Sequence, residues 1–173
     1  MNILHFAILT VSDRSARGER EDLSGPALSR CILQAGWEVV AQKVVPDTFD
    51  LIHSQLKAWC TQDIHVILTT GGTGFSPTDV TPEATCKVIE RATPGLSEAM
   101  RLAGMRLTPH AMLSRGVAGI CGQTLIINLP GSPKAAQESF EVIKPVLEHA
   151  VAIICEDTGA EDGHQIDAGE EKK

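Results

Sequence analysis

The stretch from Val66 to Pro82, VILTTGGTGFSPTDVTP, restricts the fold more than any other part of the chain. It opens with apolar, β-branched residues that are typical of a buried strand. Three glycines follow within four positions. At its end, Thr81 as an N-cap and Pro82 at the first helical position predict a helix. The order strand, glycine-rich turn and helix lets backbone N–H groups approach an anion, and a tight turn without a ligand is the alternative.

The glycine-rich turn does not match the two best-known phosphate-binding motifs. A P-loop requires a Lys and a Ser or Thr directly after its last glycine, whereas Phe75 and Ser76 follow Gly74 here. A dinucleotide-binding motif requires a third glycine where this chain has Ser76 and Pro77. Asp79 indicates a divalent metal between a carboxylate and a bound anion, unless its side chain only caps the following helix.

Strands and helices alternate along the remaining sequence. Besides the strand that begins at Val66, apolar runs predict strands at residues 5–11, 37–45 and 124–129. Helical spacing predicts helices from Pro26 to Gly36, over residues 49–59, from Pro82 to about Arg91, from about residue 95 to Gly104, and from Pro133 onwards. Residues 113–122 show no clear pattern. The alternation predicts a three-layer α/β/α sandwich with a mostly parallel central sheet.

Polar or glycine-rich features follow four of the predicted strands. Asp13 follows the first, Asp47 the second, residues 71–79 the third, and residues 128–132 the last long one. Because the carboxyl ends of parallel strands meet at one edge of a sheet, we expect these features to form one site. Turn or cap residues are the alternative interpretation of Asp13 and Asp47.

Composition limits the class of protein. The chain has 173 residues, 43% of them hydrophobic, which fits one compact domain over residues 1–155. Residues 156–173 form an acidic tail of net charge −5, in which we expect no ordered structure. The remainder then carries only −2 of the total −7, and 3% of the residues are aromatic, so we expect no nucleic-acid binding. No apolar run is long enough for a bilayer, so we expect no membrane association and a cytoplasmic location.

Neither the cysteines nor the histidines form a recognisable motif. The five cysteines are widely spaced within apolar patterns, and the six histidines form no HxH or HxxxH pair. This distribution predicts reduced thiols in a cytosolic protein and no zinc site.

Three blocks of sequence resemble a known family. Residues 69–85 (TTGGTGFSPTDVTPEAT), 111–119 (AMLSRGVAG) and 125–133 (LIINLPGSP) are similar, in the same order, to motifs of the molybdopterin-binding MogA/MoaB family. This family includes the G domains of plant Cnx proteins and of gephyrin. The resemblance extends from about Ile3 to Ile154 and implies the MogA-like molybdopterin-binding fold.

The resemblance implies a nucleotidyltransferase of molybdenum cofactor biosynthesis, a molybdopterin adenylyltransferase. Such an enzyme uses Mg²⁺ and ATP to adenylylate the phosphate of molybdopterin and releases pyrophosphate. By position, Asp47 and Asp79 would be its catalytic and metal-binding aspartates. The residues that would bind the nucleotide and its phosphates are Gly71, Gly72, Thr73, Gly74, Pro130, Gly131 and Ser132. Those around the pterin or phosphate pocket would be Ser12, Asp13, Ser114 and Arg115.

Some of these assignments have alternatives. Without the resemblance, Ser114 and Arg115 can be explained as a surface polar pair, although Arg is a natural phosphate partner. Arg101 and Arg106 are predicted to be solvated helix charges outside the site. The resemblance also implies a homotrimer, or else a hexamer, and a molybdenum insertase as a partner that uses the product. Because some relatives are not catalytic, a MoaB-type molybdopterin-binding or scaffold protein is the alternative function. The presence of both Asp47 and Asp79 favours the enzyme.

Overall fold

The computed structural model describes residues 3–155 and shows a six-stranded sheet covered by helices. The strands are β1 (His5–Val11), β2 (Glu38–Val45), β3 (Val66–Thr70), β4 (Arg91–Ala92), β5 (Ala118–Cys121) and β6 (Thr124–Leu129). The helices are α1 (Asp13–Ala16), α2 (Ser24–Gln34), α3 (Phe49–Trp59), α4 (Thr81–Cys86), α5 (Pro94–Met105) and α6 (Pro133–Ile154), and Pro109–Leu113 form a 3₁₀ turn. The tail predicted at residues 156–173 lies outside the described residues.

The sheet has the spatial order β2-β1-β3-β6-β5-β4. The first four strands in this order are parallel to one another. The remaining two form an antiparallel edge, with β5 antiparallel to β6 and β4 antiparallel to β5. The predicted fold class, α/β with a mostly parallel central sheet, is confirmed. The four longest strands therefore all end at the same edge.

Helices bury both faces of the sheet. On one face, the rings of Phe6 and Trp37 stack with centroids 5.2 Å apart, and Phe140 of α6 lies edge-on to both. On the other face, Ile52 and Leu56 of α3 are fully buried, as their helical spacing predicts. Each such side chain stabilises the fold by roughly 1.5–3 kcal/mol. No helix within residues 3–155 has the length and apolar character needed to cross a membrane.

An aspartate explains why α2 begins two residues before the predicted start. The carboxylate of Asp22 accepts hydrogen bonds from the backbone N–H groups of Ser24 (3.0 Å) and Gly25 (3.1 Å). It also accepts one from the hydroxyl of Thr10 in β1, at 2.7 Å. The side chain thus satisfies helix donors that have no partner within the helix and fixes α2 to the sheet.

The largest departures from the predicted elements lie at the antiparallel edge. The helix predicted from Pro82 to about Arg91 ends at Cys86, because Arg91 and Ala92 pair with β5 as strand β4. Residues 113–122, which show no clear pattern, contain β5. Both strands are short, and β4 pairs with a strand that is distant in sequence, so local periodicity does not reveal them.

Candidate active site

The four parallel strands bring the predicted site segments to one edge of the sheet. Asp13 comes two residues after the end of β1, Asp47 two residues after β2, residues 71–79 directly after β3, and residues 130–132 directly after β6. This edge is where parallel α/β sheets bind their ligands. The segments are also joined to each other by hydrogen bonds and by direct backbone contacts.

The turn after β3 is so tight that only glycine fits at two positions. Gly71 has a φ of 100°, and a Cβ atom there would lie 2.2 Å from the carbonyl oxygen of Val11. Gly72 has a φ of 63°, and a Cβ atom there would lie 2.3 Å from Oγ1 of Thr81. Both glycines are therefore required by backbone conformation and by the packing of the turn against β1 and α4.

The turn after β6 packs directly on the turn after β3. A Cβ atom on Gly131 would lie 3.1 Å from the Cα atom of Gly71. The hydroxyl of Thr70 donates a hydrogen bond to the carbonyl of Pro130 at 2.7 Å, and Gly71 N–H donates to the carbonyl of Leu129 at 3.3 Å. We call these two connected turns, residues 71–74 and 130–132, the paired turns.

The paired turns carry backbone donors that no acceptor within residues 3–155 satisfies. They are the N–H groups of Gly72, Thr73 and Gly74 on one turn and of Gly131 on the other. Ser132 occupies the N-cap position of α6 but makes no side-chain capping bond. The turn at residues 71–74 is at least half-buried and Gly131 is exposed, so water or a bound ligand must accept from these N–H groups. Gly131 also lies directly before the N-cap of the long helix α6, and a helix N-terminus beside backbone donors favours an anion such as phosphate.

Asp13 and Asp47 hold each other in place. The N–H of Asp13 donates to Oδ2 of Asp47 at 2.8 Å, and the N–H of Asp47 donates to Oδ1 of Asp13 at 3.0 Å. Each carboxylate thus uses one oxygen as a turn cap, as the alternative interpretation proposes, and leaves the other without a hydrogen bond within the described chain. Partial burial raises the pKa of Asp47 above its ordinary value, and the negative charges of Asp13 and Asp79 add to that rise.

Asp79 organises the loop after the first turn and does not cap α4. Its Oδ2 accepts a hydrogen bond from the backbone N–H of Ser76 at 2.9 Å. The prediction that Thr81 is the N-cap of α4 is wrong, because Val80 occupies that position. The buried hydroxyl of Thr81 donates instead to the carbonyl of Gly71 at 3.0 Å. Thr81 therefore connects α4 to the glycine-rich turn.

A cavity of about 510 Å³ opens beside the paired turns. Residues 71–74, Asp79 and Gly131 line one end, and side chains of α5, α6 and the 3₁₀ turn line the remainder. Ser114 and Pro130 also lie in its wall. Five predicted site residues do not contribute to this wall: Ser12, Asp13, Asp47, Arg115 and Ser132. Asp47 nevertheless adjoins it, since a Cβ atom on Gly72 would lie 3.1 Å from its Oδ1.

Arg115 is bound to the glycine-rich loop by its side chain and by its backbone. Its Nε donates to the carbonyl of Gly74 at 2.7 Å and its Nη2 to the carbonyl of Asp79 at 2.6 Å. Its backbone N–H donates to the carbonyl of Thr73 at 2.9 Å, and its Nη1 pairs with Glu83. Partial burial tends to raise the pKa of Glu83, but the hydrogen bond and charge of Arg115 lower it overall. Arg115 thus fixes the shape of the loop, and its contact with a pterin stays a prediction.

Two residues at this site are not identified by the sequence analysis as individual contributors. Arg101, which the sequence predicts to be a solvated helix charge, is half-buried and lies in the cavity wall. Asn128 is buried, and its Nδ2 donates to the hydroxyls of Thr69 and Thr85, both at 2.9 Å. A lone Asn inside the apolar strand LIINL is a signal for such a role, because a buried amide requires partners. The sequence contains no comparable signal for Arg101.

Comparison with known proteins places this arrangement in a family. The profile of the family described as "probable molybdopterin binding domain" matches residues 7–149. The chain belongs to this family. It is 40% identical over 162 residues to the molybdopterin adenylyltransferase of Helicobacter pylori strain J99, covering 89% of both chains. It also resembles the crystal structure of the molybdopterin biosynthesis enzyme MoaB from Thermus thermophilus, with a TM-score of 0.85 and 48% identity, over 90% of this chain and 98% of that one.

The molybdopterin-binding domain also occurs within larger proteins. The molybdenum cofactor synthesis protein cinnamon of Drosophila melanogaster is 45% identical over 160 residues, which is 91% of this chain but 26% of that protein. The chain thus spans about a quarter of that relative and nearly all of the H. pylori one. The family resemblance of the three sequence blocks is confirmed.

The carboxylates of this family member fit a magnesium ion. Residues 3–155 contain no group of three or more His, Cys, Asp or Glu side chains placed to hold a metal by themselves. However, Mg²⁺ in nucleotide sites usually takes one or two carboxylates, with water and substrate phosphates as its other ligands. Asp47 and Asp79 each have one oxygen without a hydrogen bond in this part of the chain. A cation here would also offset the repulsion that contributes to the raised pKa of Asp47.

Proposed function

We propose that this protein is a molybdopterin adenylyltransferase of molybdenum cofactor biosynthesis. It transfers AMP from ATP to the phosphate of molybdopterin in the presence of Mg²⁺. The proposal rests on one observation. Backbone N–H groups without an acceptor lie on the paired turns, next to Asp47 and Asp79. The name of the H. pylori relative, which matches over 89% of both chains, supports the same activity.

In the proposed reaction, an oxygen of the molybdopterin phosphate forms a bond to the α-phosphorus of ATP. The bond from that phosphorus to the oxygen bridging to the β-phosphate breaks, and pyrophosphate leaves with the electron pair. The attacking phosphate is ionised at neutral pH, so no side chain has to remove a proton from it. Catalysis then depends on positioning the two phosphates and on stabilising their charge.

The chain's own groups supply that positioning. In our proposal, the N–H groups of Gly72, Thr73 and Gly74 donate to phosphate oxygens of the nucleotide. Gly131 and the N-terminus of α6 provide a second set of donors, next to Pro130 and Ser132. Asp47 and Asp79 would hold Mg²⁺, which would neutralise negative charge on the triphosphate.

Four further residues are proposed to surround the pterin or its phosphate. Ser114 is supported by its position in the cavity wall. Ser12 and Asp13 adjoin Asp47 at the same edge, and the Ser12 hydroxyl also accepts from Ser15 N–H at 3.3 Å. Arg115 would act from the glycine-rich loop that it holds in shape.

We further propose a homotrimer, with a hexamer as the alternative, in the cytoplasm, and a molybdenum insertase as the partner that receives the product. Three exposed apolar side chains support contact with another copy: Leu102 on α5, Met112 on the 3₁₀ turn, and Leu107 between them. Sedimentation equilibrium of the purified protein measures the number of chains directly.

The decisive test is incubation of the protein with molybdopterin, ATP and Mg²⁺. We expect pyrophosphate and adenylylated molybdopterin in equal amounts, detected by a coupled phosphate assay and by mass spectrometry. Omitting molybdopterin controls for simple ATP hydrolysis. Binding of molybdopterin without either product would refute the enzyme and establish the non-catalytic MoaB-type alternative.

A further inference from the structure

The guanidinium of Arg101 belongs to the cavity wall but to neither of the paired turns. We propose that Arg101 binds a phosphate group of a substrate inside the 510 Å³ cavity. The identity of that phosphate, on the nucleotide or on molybdopterin, rests on the proposed function. The choice of residue rests on the geometry of α5 and of the cavity wall.

Hydrogen bonds fix one end of this guanidinium. Nη1 of Arg101 donates to the carbonyl of Gly116 at 2.9 Å and to that of Ser114 at 3.4 Å. These two carbonyls flank Arg115, whose side chain donates a hydrogen bond to the glycine-rich loop. Because a guanidinium is planar, two acceptors on Nη1 restrict the plane in which Nη2 and Nε lie. Its remaining donors are therefore oriented before any ligand binds.

No group within residues 3–155 accepts a hydrogen bond from those remaining donors. Neither Nε nor Nη2 of Arg101 makes a hydrogen bond there, and no described carboxylate lies within 4.0 Å of the group. Arg115 differs, since it pairs with Glu83 and donates to two carbonyls. A half-buried guanidinium with two unused nitrogens matches the paired oxygens of a phosphate.

The charges of the cavity wall give this cation a specific role. Two carboxylates line the cavity, those of Asp79 and Glu138. Within the described residues, Arg101 is the single Arg or Lys in that wall. A polyanionic substrate entering between two carboxylates is repelled unless a cation offsets them. Mg²⁺ at Asp79 would offset one end of the cavity, and Arg101 provides the fixed positive charge of the α5 wall.

The test compares two substitutions of Arg101 with a matched control. Arg101→Gln removes the charge and Arg101→Lys keeps the charge without the planar fork. Arg106→Gln removes an exposed charge at the end of α5, outside the cavity wall. Titration calorimetry on the intact protein measures the affinities for Mg-ATP, adenosine, molybdopterin and dephosphorylated molybdopterin, all without turnover.

We expect Arg101→Gln to weaken binding of one phosphate ligand by about tenfold or more. Arg101→Lys should recover part of that loss, and Arg106→Gln should change nothing. A selective loss for ATP assigns the contact to the nucleotide, and a selective loss for molybdopterin assigns it to the pterin's phosphate. The matching ligand without phosphate should keep its affinity, because it lacks the group that Arg101 contacts.

Several results would overturn the proposal. One is an unchanged affinity for both phosphate ligands, or no binding of either to the unaltered protein. Another is an equal loss for a ligand with and without phosphate, which would mean that Arg101 only supports the segment at residues 114–116. If Arg101→Gln does not fold, Arg101→Lys provides the test. Its affinity for ATP relative to adenosine, and for molybdopterin relative to dephosphorylated molybdopterin, should then be compared with the unaltered protein, and two unchanged ratios would overturn the proposal. Because no product is needed, binding data that support Arg101 remain valid even if adenylyl transfer is not observed.

Discussion

The two edges of the parallel sheet both carry titratable side chains and a cavity, yet they use them differently. At the carboxyl edge, Asp13 and Asp47 each bond to the other's backbone and keep one oxygen unused. At the amino edge, the backbone N–H of His5 donates to Nδ1 of His65 at 2.9 Å. Nδ1 of His5 also lies 3.2 Å from Oδ2 of Asp63. The amino-edge groups thus bond mainly to one another.

A second cavity, of about 290 Å³, lies at the amino edge and serves as a comparison for the candidate site. The hydroxyl of Thr124 in its wall is satisfied by the carbonyl of Ile64 at 2.8 Å. Burial, followed by the neighbouring thiol of Cys121, raises the pKa of Cys60 to about 12, so this thiol stays protonated and unreactive. A cavity with titratable walls is therefore insufficient evidence for a site. The carboxyl edge differs in the burial of its unpaired donors: the N–H groups of Gly72, Thr73 and Gly74 lie on a half-buried glycine-rich turn, whereas those of Asp63 and Gln123 in the amino-edge wall belong to exposed residues.

Removal of one carboxylate charge is the strongest test of the difference between the carboxyl edge and the amino edge. Asp47→Asn or Asp79→Asn should reduce the rate of adenylyl transfer by about 10²-fold or more, because each is proposed to hold Mg²⁺. Asp63→Asn, at the amino edge, is the matched control and should leave the rate unchanged. Pyrophosphate release measures all three, and circular dichroism checks that each protein folds. Full activity in both site variants would remove the metal assignment.

A second prediction concerns the backbone of the paired turns. Gly36 and Gly71 both have positive φ, but a Cβ atom on Gly36 meets nothing within 4 Å, whereas one on Gly71 lies 2.2 Å from the Val11 carbonyl oxygen. Gly36→Ala should cost about 1 kcal/mol of unfolding free energy. Gly71→Ala should cost about 1–3 kcal/mol more, and it alone should weaken ATP binding. Urea denaturation and ATP titration provide the measurements. Equal effects in the two variants would contradict the packing argument.

A smaller effect is expected from the ion pair that supports the glycine-rich loop. Glu83→Gln removes the charge partner of Arg115 but leaves its two bonds to loop carbonyls. We expect the KM for ATP to rise by about threefold with kcat nearly unchanged, since an exposed pair contributes little. Glu141→Gln, which removes the exposed pair with Lys144 on α6, is the control. A large fall in kcat instead would mean that Glu83 acts in the reaction itself.

The smallest predicted effects are on the pH dependence of stability, where the two edges have opposite signs. Burial, and then the charge of His5, lower the pKa of His65 below its ordinary 6.5. The unfolded chain therefore binds this proton more readily, and stability falls as the pH drops through 6.5. The pKa of Asp47 is raised above 3.8, so the folded chain binds that proton more readily. Its contribution increases as the pH falls through the folded pKa towards 3.8.

Thermal unfolding between pH 7.5 and 4 separates the two contributions. His65→Asn should lose less stability than the unaltered protein between pH 7.5 and 5.5, since Oδ1 of Asn still accepts from His5. Asp47→Asn should lose more stability than the unaltered protein below about pH 5. Each difference should be no more than about 2 °C in Tm. Parallel profiles in all three proteins would show that neither group has a shifted pKa.

The sequence predicts the helices and strands whose apolar residues follow a local pattern. The continuous apolar runs of β1, β3 and β6, and the stripe Ile52, Leu56 and Trp59 in α3, each indicate their element without reference to the rest of the chain. The convergence of Asp13 and Asp47 also follows, because the carboxyl ends of parallel strands must share an edge.

What the sequence does not predict depends on contacts between distant segments. The end of α4 depends on the pairing of β4 with β5, and the role of Thr81 depends on the position of the Gly71 carbonyl. The different positions of Arg101 and Arg115 also depend on contacts with distant segments. Arg115 turns towards the glycine-rich loop and Arg101 lies in the cavity wall, and nothing in their neighbouring residues distinguishes them.

The contact between Gly131 and Gly71 has a consequence for how this protein can diversify. A Cβ atom on Gly131 would already lie only 3.1 Å from the Cα atom of Gly71, so the absence of a side chain at Gly131 sets how closely the two turns approach. If the paired turns bind two phosphoryl groups as proposed, this approach also sets the interval between those groups. New substrate preferences would have to arise from α5 and the 3₁₀ turn, whose side chains are free to vary without disturbing that interval.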